Sequence, residues 1–141
     1  MEGYYRKMEL SDDLTSLKKL SKDMGWIGKM DFSDALFKYG NTIIVTDNAL
    51  KIVYASSAIT SMNGYTPREV IGFSPNMFQG PDTAPEFKMH VREAVIKQLP
   101  FEQTVTNYRK NGEPYICHIK GFAMFNAANK LMNYIAFEKL A

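Results

Sequence analysis

Two long β-rich runs joined by Asn111-Gly112 limit the possible folds of this chain more than any other feature. The runs extend from Phe101 to Arg109 and from Pro114 to Phe125. Asn-Gly is a strong signal for a tight hairpin, because both residues readily adopt the positive φ angles that such a turn requires. The pattern therefore predicts two adjacent antiparallel strands, and a last strand is predicted from about Leu131 to Leu140.

A second hairpin is predicted upstream of these strands. Residues 42–46 and 51–55 are β-rich and flank the short segment 47–50. Short helical pieces punctuated by glycine and proline follow over residues 57–78. A longer helix is then predicted near Asp82–Glu86, since proline suits the first turn of a helix. The apolar stripe of this helix comprises Phe87, Val91, Ala94 and Val95.

The first part of the chain is predicted to be a leader containing one amphipathic helix. Ser11-Asp12-Asp13 is typical of a helix start, because acidic residues stabilise the positive end of the helix dipole. Gly25 can end the helix, which we place at about residues 11–24. Residues 1–36 are therefore interpreted as a leader and residues 37–141 as the main domain. The element order of the main domain predicts an α+β fold, with an antiparallel sheet and its helices on one face.

Alternation of side chains predicts that the three C-terminal strands are apolar on both faces. One face carries Val105, Asn107, Tyr115, Cys117, Ile119, Gly121, Tyr134, Ala136 and Glu138. The opposite face, called the outer face below, carries Ile116, Phe122, Met124, Ile135 and Phe137. So large an apolar surface needs a cover. Either the leader helix lays Leu14, Leu17 and Leu20 over it, or a homodimer forms through this face and the leader; the two alternatives can coexist.

Composition and charge argue against several classes of protein. The chain has 141 residues and a net charge of +2, without the clustered Lys and Arg expected for nucleic-acid binding. Its apolar runs are shorter than the ~20 residues of a membrane span. The single cysteine, Cys117, allows neither an internal disulfide nor a multi-cysteine metal cluster. The N-terminus lacks the apolar core of a signal peptide, so a cytoplasmic protein, or a cytoplasmic piece of a larger one, is expected.

Three motifs, in this order, resemble those of PAS domains. They read Asn-Gly-Tyr-Thr-Pro-Arg-Glu-Val-Ile-Gly at residues 63–72, Met-Phe-Gln-Gly-Pro-Asp-Thr at 77–83 and Asn-Tyr-Arg-Lys-Asn-Gly at 107–112. They are most similar to the flavin-binding light-oxygen-voltage (LOV) branch of that family. The resemblance covers roughly residues 37–140. It implies a five-stranded antiparallel sheet with short helices and one longer helix on one face, and a ligand pocket on the concave face that carries Asn107.

The resemblance also implies which residues line the pocket, and several depart from the LOV pattern. The reactive cysteine of LOV domains falls on Pro75, so the cysteinyl adduct at that position is excluded. A phosphate-binding arginine falls on Asn76. Gln79 and Asn107 match the family's polar flavin contacts, while Arg92 either matches a second phosphate arginine or is a solvated helix residue. FMN or FAD is therefore one alternative for the cofactor, beside an unknown ligand or none.

Two further family positions hold residues that alter the polar chemistry. The second flavin-gripping asparagine falls on Cys117, which cannot reproduce the paired donor and acceptor of an amide. The glutamine near the flavin N5 falls on Glu138, whose carboxylate would repel a reduced flavin. Glu138 is either hydrated near the sheet edge or, if buried, protonated or paired. The candidate cofactor-binding residues are Gln79, Arg92, Asn107, Cys117 and Glu138.

Haem binding and enzymatic activity find no support in the sequence. His90 lies on the longer helix, but its placement differs from the haem-binding PAS pattern, and a helix-surface histidine is expected. His118 falls on the outer face. The phosphate-binding loop, nucleophile elbow and zinc-helix motifs are all missing, so neither catalytic residues nor metal ligands are expected.

The resemblance implies a regulatory role in a bacterial-type signalling pathway. Such a domain binds a small ligand or mediates protein–protein contacts, including homodimerisation, and works with an effector domain or signalling partner. The alternative is a LOV-like photoreceptor or redox sensor that reduces a flavin without forming the adduct. A purely structural scaffold is a third possibility. The sequence does not identify the ligand.

Overall fold

The computed structural model describes residues 2–28 and 30–141. Its centre is a five-stranded sheet in the order β2-β1-β5-β4-β3, and every neighbouring pair is antiparallel. This arrangement confirms the predicted α+β fold class. The strands are β1 (Thr42–Asp47), β2 (Ile52–Ala55), β3 (Phe101–Tyr108), β4 (Pro114–Phe125) and β5 (Leu131–Leu140).

Helices cover both faces of the sheet. Those between β2 and β3 pack on the concave face, where Ile59, Val70 and Phe78 join Ile44 of β1 in one apolar cluster. The leader helix lies on the outer face. The helices are α1 (Glu2–Met24), α2 (Ile59–Asn63), α3 (Pro67–Val70) and α4 (Pro85–Lys97), with a π-helical turn at Asp34–Lys38 and a 3-10 helix at Pro75–Phe78. Within the described residues, none of these helices combines the length and hydropathy needed to cross a membrane.

The predicted hairpin through Asn111-Gly112 forms, although only Gly112 of these two residues adopts a positive φ. Gly112 has a φ of 91°, a conformation that favours glycine, and its N–H donates to the Arg109 carbonyl at 2.9 Å. The Arg109 N–H donates to the Glu113 carbonyl at 2.8 Å and closes the turn. The turn also reaches the helical layer, because the Lys110 N–H donates to the Asn63 carbonyl at 2.8 Å. The hairpin therefore holds α2 over the concave face.

The motif at residues 63–72 builds a tight connection between two short helices. Gly64 ends α2 with a φ of 84°. Thr66 then begins α3 with a capping box, in which the Thr66 side chain accepts from the Glu69 N–H and the Glu69 carboxylate accepts from the Thr66 N–H at 2.9 Å. The Lys110 ammonium donates to the same carboxylate and holds the pKa of Glu69 low, at about 2.

The motif at residues 77–83 fastens the start of α4 to strand β3. The Thr83 hydroxyl donates to the Thr106 carbonyl at 2.7 Å, and the Asp82 N–H donates to the Tyr108 hydroxyl at 2.9 Å. The Tyr108 ring lies so close to Gly80 that a Cβ there would come within 2.4 Å of it. Glycine is therefore required at residue 80 by the close approach of this ring.

The leader helix is longer than predicted, beginning at Glu2 rather than near residue 11. Asp13 does not cap a helix start. Its buried carboxylate instead accepts from the Tyr54 hydroxyl at 2.8 Å and from the Ser57 hydroxyl at 2.6 Å. The acidic residue that indicated a helix start is therefore a tertiary contact that ties α1 to the end of β2. The predicted division at residue 37 lies within the π-helical turn.

Contacts within the chain cover most of the outer face. Leu17 of α1 is fully buried in one apolar cluster with Ile43 and Val45 of β1 and Ile135 of β5. Met124 is buried in the same cluster, and Leu14, Leu20, Phe122 and Phe137 pack against it. The intramolecular cover that the sequence offered as one alternative is thus present. Ile116 is the exception among the outer-face residues, with 48% of its surface exposed.

The connector after α1 is anchored to the sheet through Trp26. Its indole Nε1–H donates to Asn133 Oδ1 at 2.8 Å, and the Asn133 amide donates to the Thr46 carbonyl at 3.0 Å. Trp26 also forms an antiparallel bridge with Asn126. Helix α1 is consequently attached to the sheet domain near its middle, through Asp13, and just beyond its C-terminal end, through Trp26.

Candidate functional site

A cavity of about 160 Å³ lies between the concave face of the sheet and the helices that cover it. Its walls come from strands β1, β3, β4 and β5, from the 3-10 helix and from α4. Most of the wall is apolar, which favours a ligand with a hydrophobic body. The apolar lining residues are Ile44, Leu50, Pro75, Phe78, Phe87, Val91, Val95, Phe101, Ile119, Gly121 and Ala136. Phe122 and Ile135, which belong to the outer-face cluster, also border the cavity.

A few polar side chains interrupt this wall. Asn107 and Glu138 are buried on the sheet side, and Gln79 is half-buried beside the 3-10 helix. The Tyr134 hydroxyl donates to the Val95 carbonyl at 3.2 Å, so it bridges β5 and α4 at the cavity wall. The polar lining residues are Thr46, Ser74, Asn76, Gln79, Asn107, Tyr134 and Glu138.

Glu138 is the lining residue whose chemistry is most unusual. It lies on β5, the central strand, where it pairs with Thr42 on one side and Ile119 on the other. Only 5% of its surface is exposed. The hydrated position near a sheet edge, one of the two expectations from sequence, is therefore wrong. Residue 138 is near the end of its strand, but the strand itself is interior to the sheet.

Burial raises the pKa of Glu138 from 4.5 to about 7. Its described partner is the Cys117 thiol, which donates to Oε1 at 3.4 Å and moderates this rise. A thiol is a weak donor, so it compensates only part of the cost of removing the carboxylate from water. The carboxyl group is therefore poised to change charge near neutral pH.

Cys117 is fully buried beneath the cavity and does not line it. Burial, with the neighbouring Glu138 carboxylate, raises the pKa of its thiol well above the ordinary range. A thiol with a raised pKa is a poor nucleophile, because the thiolate is the reactive form. Cys117 therefore acts here as a small buried side chain that supports Glu138.

Asn63 and Arg109 join Tyr115 in a polar cluster, and neither was predicted from the sequence as a site residue. The Asn63 amide donates to the Tyr115 hydroxyl at 3.5 Å, and Tyr115 pairs with Asn107 across strands β3 and β4. The Arg109 guanidinium lies 5.0 Å from the centre of the Tyr115 ring and donates to the Met62 carbonyl. Tyr115 was predicted only as a face residue, because its partner Asn63 is distant in sequence.

Of the remaining residues considered in the sequence analysis, Pro75 lines the cavity and Arg92 does not. Pro75, at the position of the missing cysteine, lines the cavity at the first turn of the 3-10 helix. The Ser74 hydroxyl before it accepts from the Asn76 N–H at 3.2 Å and caps this turn. Arg92 is exposed on α4 and outside the cavity lining, which agrees with the solvated alternative for this residue.

An aromatic ring narrows the cavity where β3 and β4 face each other. Phe101 pairs with Gly121, and a Cβ at Gly121 would lie 2.2 Å from the Phe101 ring. The ring thus covers the glycine and occupies part of the concave face. Any larger side chain at residue 121 would displace Phe101 and change the shape of the site.

The two histidines lie away from the cavity. His90 is exposed on α4, and His118, whose side chain meets Glu102 at 2.7 Å, is on the outer face as predicted. Within residues 2–28 and 30–141, no group of three or more His, Cys, Asp or Glu side chains is placed to hold a metal ion.

Comparison with known proteins identifies the family of this chain. A family profile described as "PAS domain" matches residues 40–139. Phototropin-2 of Oryza sativa subsp. japonica is 38% identical over 88 residues, which cover 60% of this chain and 10% of the relative. Protein TWIN LOV 1 of Arabidopsis thaliana is 31% identical over 109 residues, covering 74% of this chain and 27% of the relative. The matching region is thus a small part of both relatives.

The structural similarity is consistent with the sequence matches. A light-oxygen-voltage domain studied with a flavin analogue superposes with a TM-score of 0.72 at 27% identity, covering 81% of this chain and 88% of that one. Sequence profile, sheet order and superposition all agree with the resemblance carried by the three motifs. The chain belongs to the PAS domain family and is similar to its LOV branch.

Proposed function

We propose that this chain is a sensory domain whose cavity binds a small ligand and that ligand occupancy is communicated to a signalling partner. The carrying observation is the cavity on the concave face, where the buried carboxyl group of Glu138 and a few amide and hydroxyl groups interrupt a mostly apolar wall. A few convergent polar groups in an apolar pocket are the usual form of a small-molecule site. No enzymatic activity is proposed for the chain.

The cavity volume supports a ligand of about one ring. At about 160 Å³ it is smaller than the ~300 Å³ at which sites for drug-sized ligands usually begin. It is comparable with the ~150 Å³ apolar cavity that holds benzene in an engineered protein. A larger ligand would require Phe101 or α4 to move outward.

The sheet offers a direct route from the cavity to the leader helix. On β1, Ile44 and Thr46 line the cavity, whereas Ile43 and Val45, which alternate with them along the strand, are buried against the α1 side. On β5, Glu138 lines the cavity and its neighbour Phe137 packs against the α1 cluster. A ligand that changes the twist of these strands would therefore shift the balance between packed and loosened arrangements of α1.

The proposal extends to a partner and to a cellular setting. A protein contact, either in a homodimer or with an effector domain, is part of the proposal; a single exposed apolar residue such as Ile116 is ordinary on a protein surface and does not locate it. The small matching fraction of the relatives, 10% and 27%, supports an effector elsewhere in a longer chain. A cytoplasmic location and a bacterial-type pathway remain part of the proposal, as does the division into residues 1–36 and 37–141.

A flavin-binding, LOV-like sensor is the second candidate. Gln79 and Asn107 line the cavity at positions that match family flavin contacts, and this observation favours FMN or FAD. Pro75 excludes the adduct at the usual position, so such a sensor would act by photoreduction. The three fused rings of a flavin exceed the present volume, and binding would require the cavity to widen.

Both candidates are tested by identifying what accompanies the purified protein. Native mass spectrometry and an absorption spectrum should reveal a bound small molecule, and the spectrum should be colourless unless a flavin is present. In Ala136→Leu, whose larger side chain enters the cavity, the bound species should be lost while the protein stays folded. A species that survives this substitution would place the ligand elsewhere. A protein that stays colourless after incubation with FMN or FAD would eliminate the flavin alternative.

A further inference from the structure

The charge of the cavity wall indicates the class of ligand, an inference that rests on the proposed ligand-binding function. We propose that the cavity takes a small organic cation: a single ring or short apolar group bearing a protonated nitrogen whose N–H groups donate to the Glu138 carboxylate. Glu138 lines the cavity, and only 5% of its surface is exposed to solvent. A buried carboxylate of this kind is stable only when a partner compensates its charge.

The described residues supply no such compensation. Among the parts of the chain that the structure describes, no lysine, arginine or histidine lines the cavity. Strand β4 contributes the titratable groups Cys117 and Tyr115, and β5 contributes Tyr134; burial raises the pKa of all three, which keeps them neutral. Helix α4 contributes only apolar side chains, Phe87, Val91 and Val95. An anion would therefore meet a like charge, whereas a cation would find its counter-charge.

The carboxyl group also has hydrogen-bonding capacity to spare. The Cys117 thiol donates to Oε1 at 3.4 Å, and this is a weak bond. A carboxylate offers about four lone-pair sites, so a second donor can be added at either oxygen. Charge-assisted bonds to a protonated nitrogen are the strongest that such an acceptor forms. Asn107 and Gln79 offer amide donors and acceptors that would orient the rest of the ligand.

The protonation state of Glu138 makes this selectivity dependent on pH. The pKa of its carboxyl group is about 7, so the group is ionised at pH 8 and mostly protonated at pH 6. A cation that needs the ionised form must displace a proton at the lower pH. Its affinity should therefore be about tenfold weaker at pH 6 than at pH 8.

Three probes of the same shape and different charge test the inference by isothermal titration calorimetry on the full chain. They are benzamidine (cation), benzamide (neutral) and benzoate (anion), with toluene as an uncharged apolar probe. Benzamidine should bind most tightly, about tenfold more weakly at pH 6 than at pH 8, and benzoate should not bind. Glu138→Gln should weaken benzamidine at pH 8 by about tenfold or more. Glu86→Gln, at an exposed site on α4, should leave the affinity for benzamidine unchanged.

The other outcomes separate this inference from the proposed function. Equal binding of benzamide and benzamidine, or benzamidine affinity that is independent of pH in the unaltered protein, overturns the cation class. Because the pH comparison needs no substitution, a poorly folded Glu138→Gln variant does not remove the test. Binding of toluene alone overturns the cation class while the ligand-binding function survives. Failure of all four probes, with the protein folded, overturns the cation class, and the co-purification experiment with Ala136→Leu then decides the ligand-binding function.

Discussion

Replacement of Glu138 by glutamine should stabilise the protein at alkaline pH and remove a specific part of its pH dependence. The substitution keeps the size of the side chain and removes its charge. The pKa of this carboxyl is 4.5 in an ordinary setting and about 7 in the folded protein, because burial disfavours the charged form. The folded state therefore holds a proton over an interval in which the unfolded chain has already released it.

The sign and size of the effect follow from this difference. Stability falls as pH rises whenever the folded state binds more protons than the unfolded state. For Glu138 the loss begins near pH 4.5 and is complete above about pH 7. Each pH unit in this interval changes the free energy of unfolding by about 1.4 kcal/mol, so the whole loss is about 3 kcal/mol. The variant should therefore gain up to about 3 kcal/mol over the unaltered protein at pH 8, and little at pH 4.5.

Urea unfolding at a series of pH values from 4.5 to 8, followed by the fluorescence of Trp26, measures this difference. Glu86→Gln is the matched control, since it makes the same chemical change at an exposed site and should retain the loss of stability between pH 4.5 and pH 7 that Glu138 causes. If Glu138→Gln and the unaltered protein lose stability in parallel as pH rises, Glu138 does not carry a raised pKa and the reasoning fails. A gain of equal size at pH 4.5 and pH 8 would refute it as well.

Three further substitutions test other parts of the structure. Asp13→Asn should cost about 1–3 kcal/mol and loosen α1, because the buried carboxylate accepts from Tyr54 and Ser57; hydrogen exchange in α1 would measure this, and unchanged protection would contradict it. Gly80→Ala should cost about 1–3 kcal/mol in thermal unfolding through its clash with the Tyr108 ring, and a neutral result would show that the ring moves freely. Phe122→Asp should change stability, oligomeric state or partner binding, as measured by unfolding, light scattering and a binding assay; if all three are unchanged, the outer face is not an interface.

Local sequence signals were sufficient for the hairpins and for the bounds of β5. The turn through Asn111-Gly112 has a local signal, because Gly112 supplies the positive φ and its N–H donates to the nearby Arg109 carbonyl. Alternation along β4 and β5 also gave the faces, since the side-chain period of a strand is fixed by its backbone geometry. The three family motifs predicted the helices that cover the concave face. The structure shows which contacts each motif makes.

Contacts between residues that are distant in sequence account for the structural features that local patterns did not predict. Ser11-Asp12-Asp13 is typical of a helix start, but Asp13 binds Tyr54 and Ser57, and the helix continues back to Glu2. The burial of Glu138 depends on β1 pairing with β5, which brings together residues nearly a hundred positions apart, such as Thr42 and Glu138. The charge environment of the cavity follows from the same pairing, so neither could be inferred from local pattern.

The proposed ligand site can be tested most directly by two-dimensional amide NMR during titration with benzamidine at pH 8. We predict shift changes in the backbone amides of Gln79, Asn107 and Glu138 around the cavity. Smaller changes should appear in α1 across the sheet, for example at Leu17. Saturable changes confined to surface residues such as Arg92, with the cavity amides unmoved, would contradict both the site and its coupling to the leader helix.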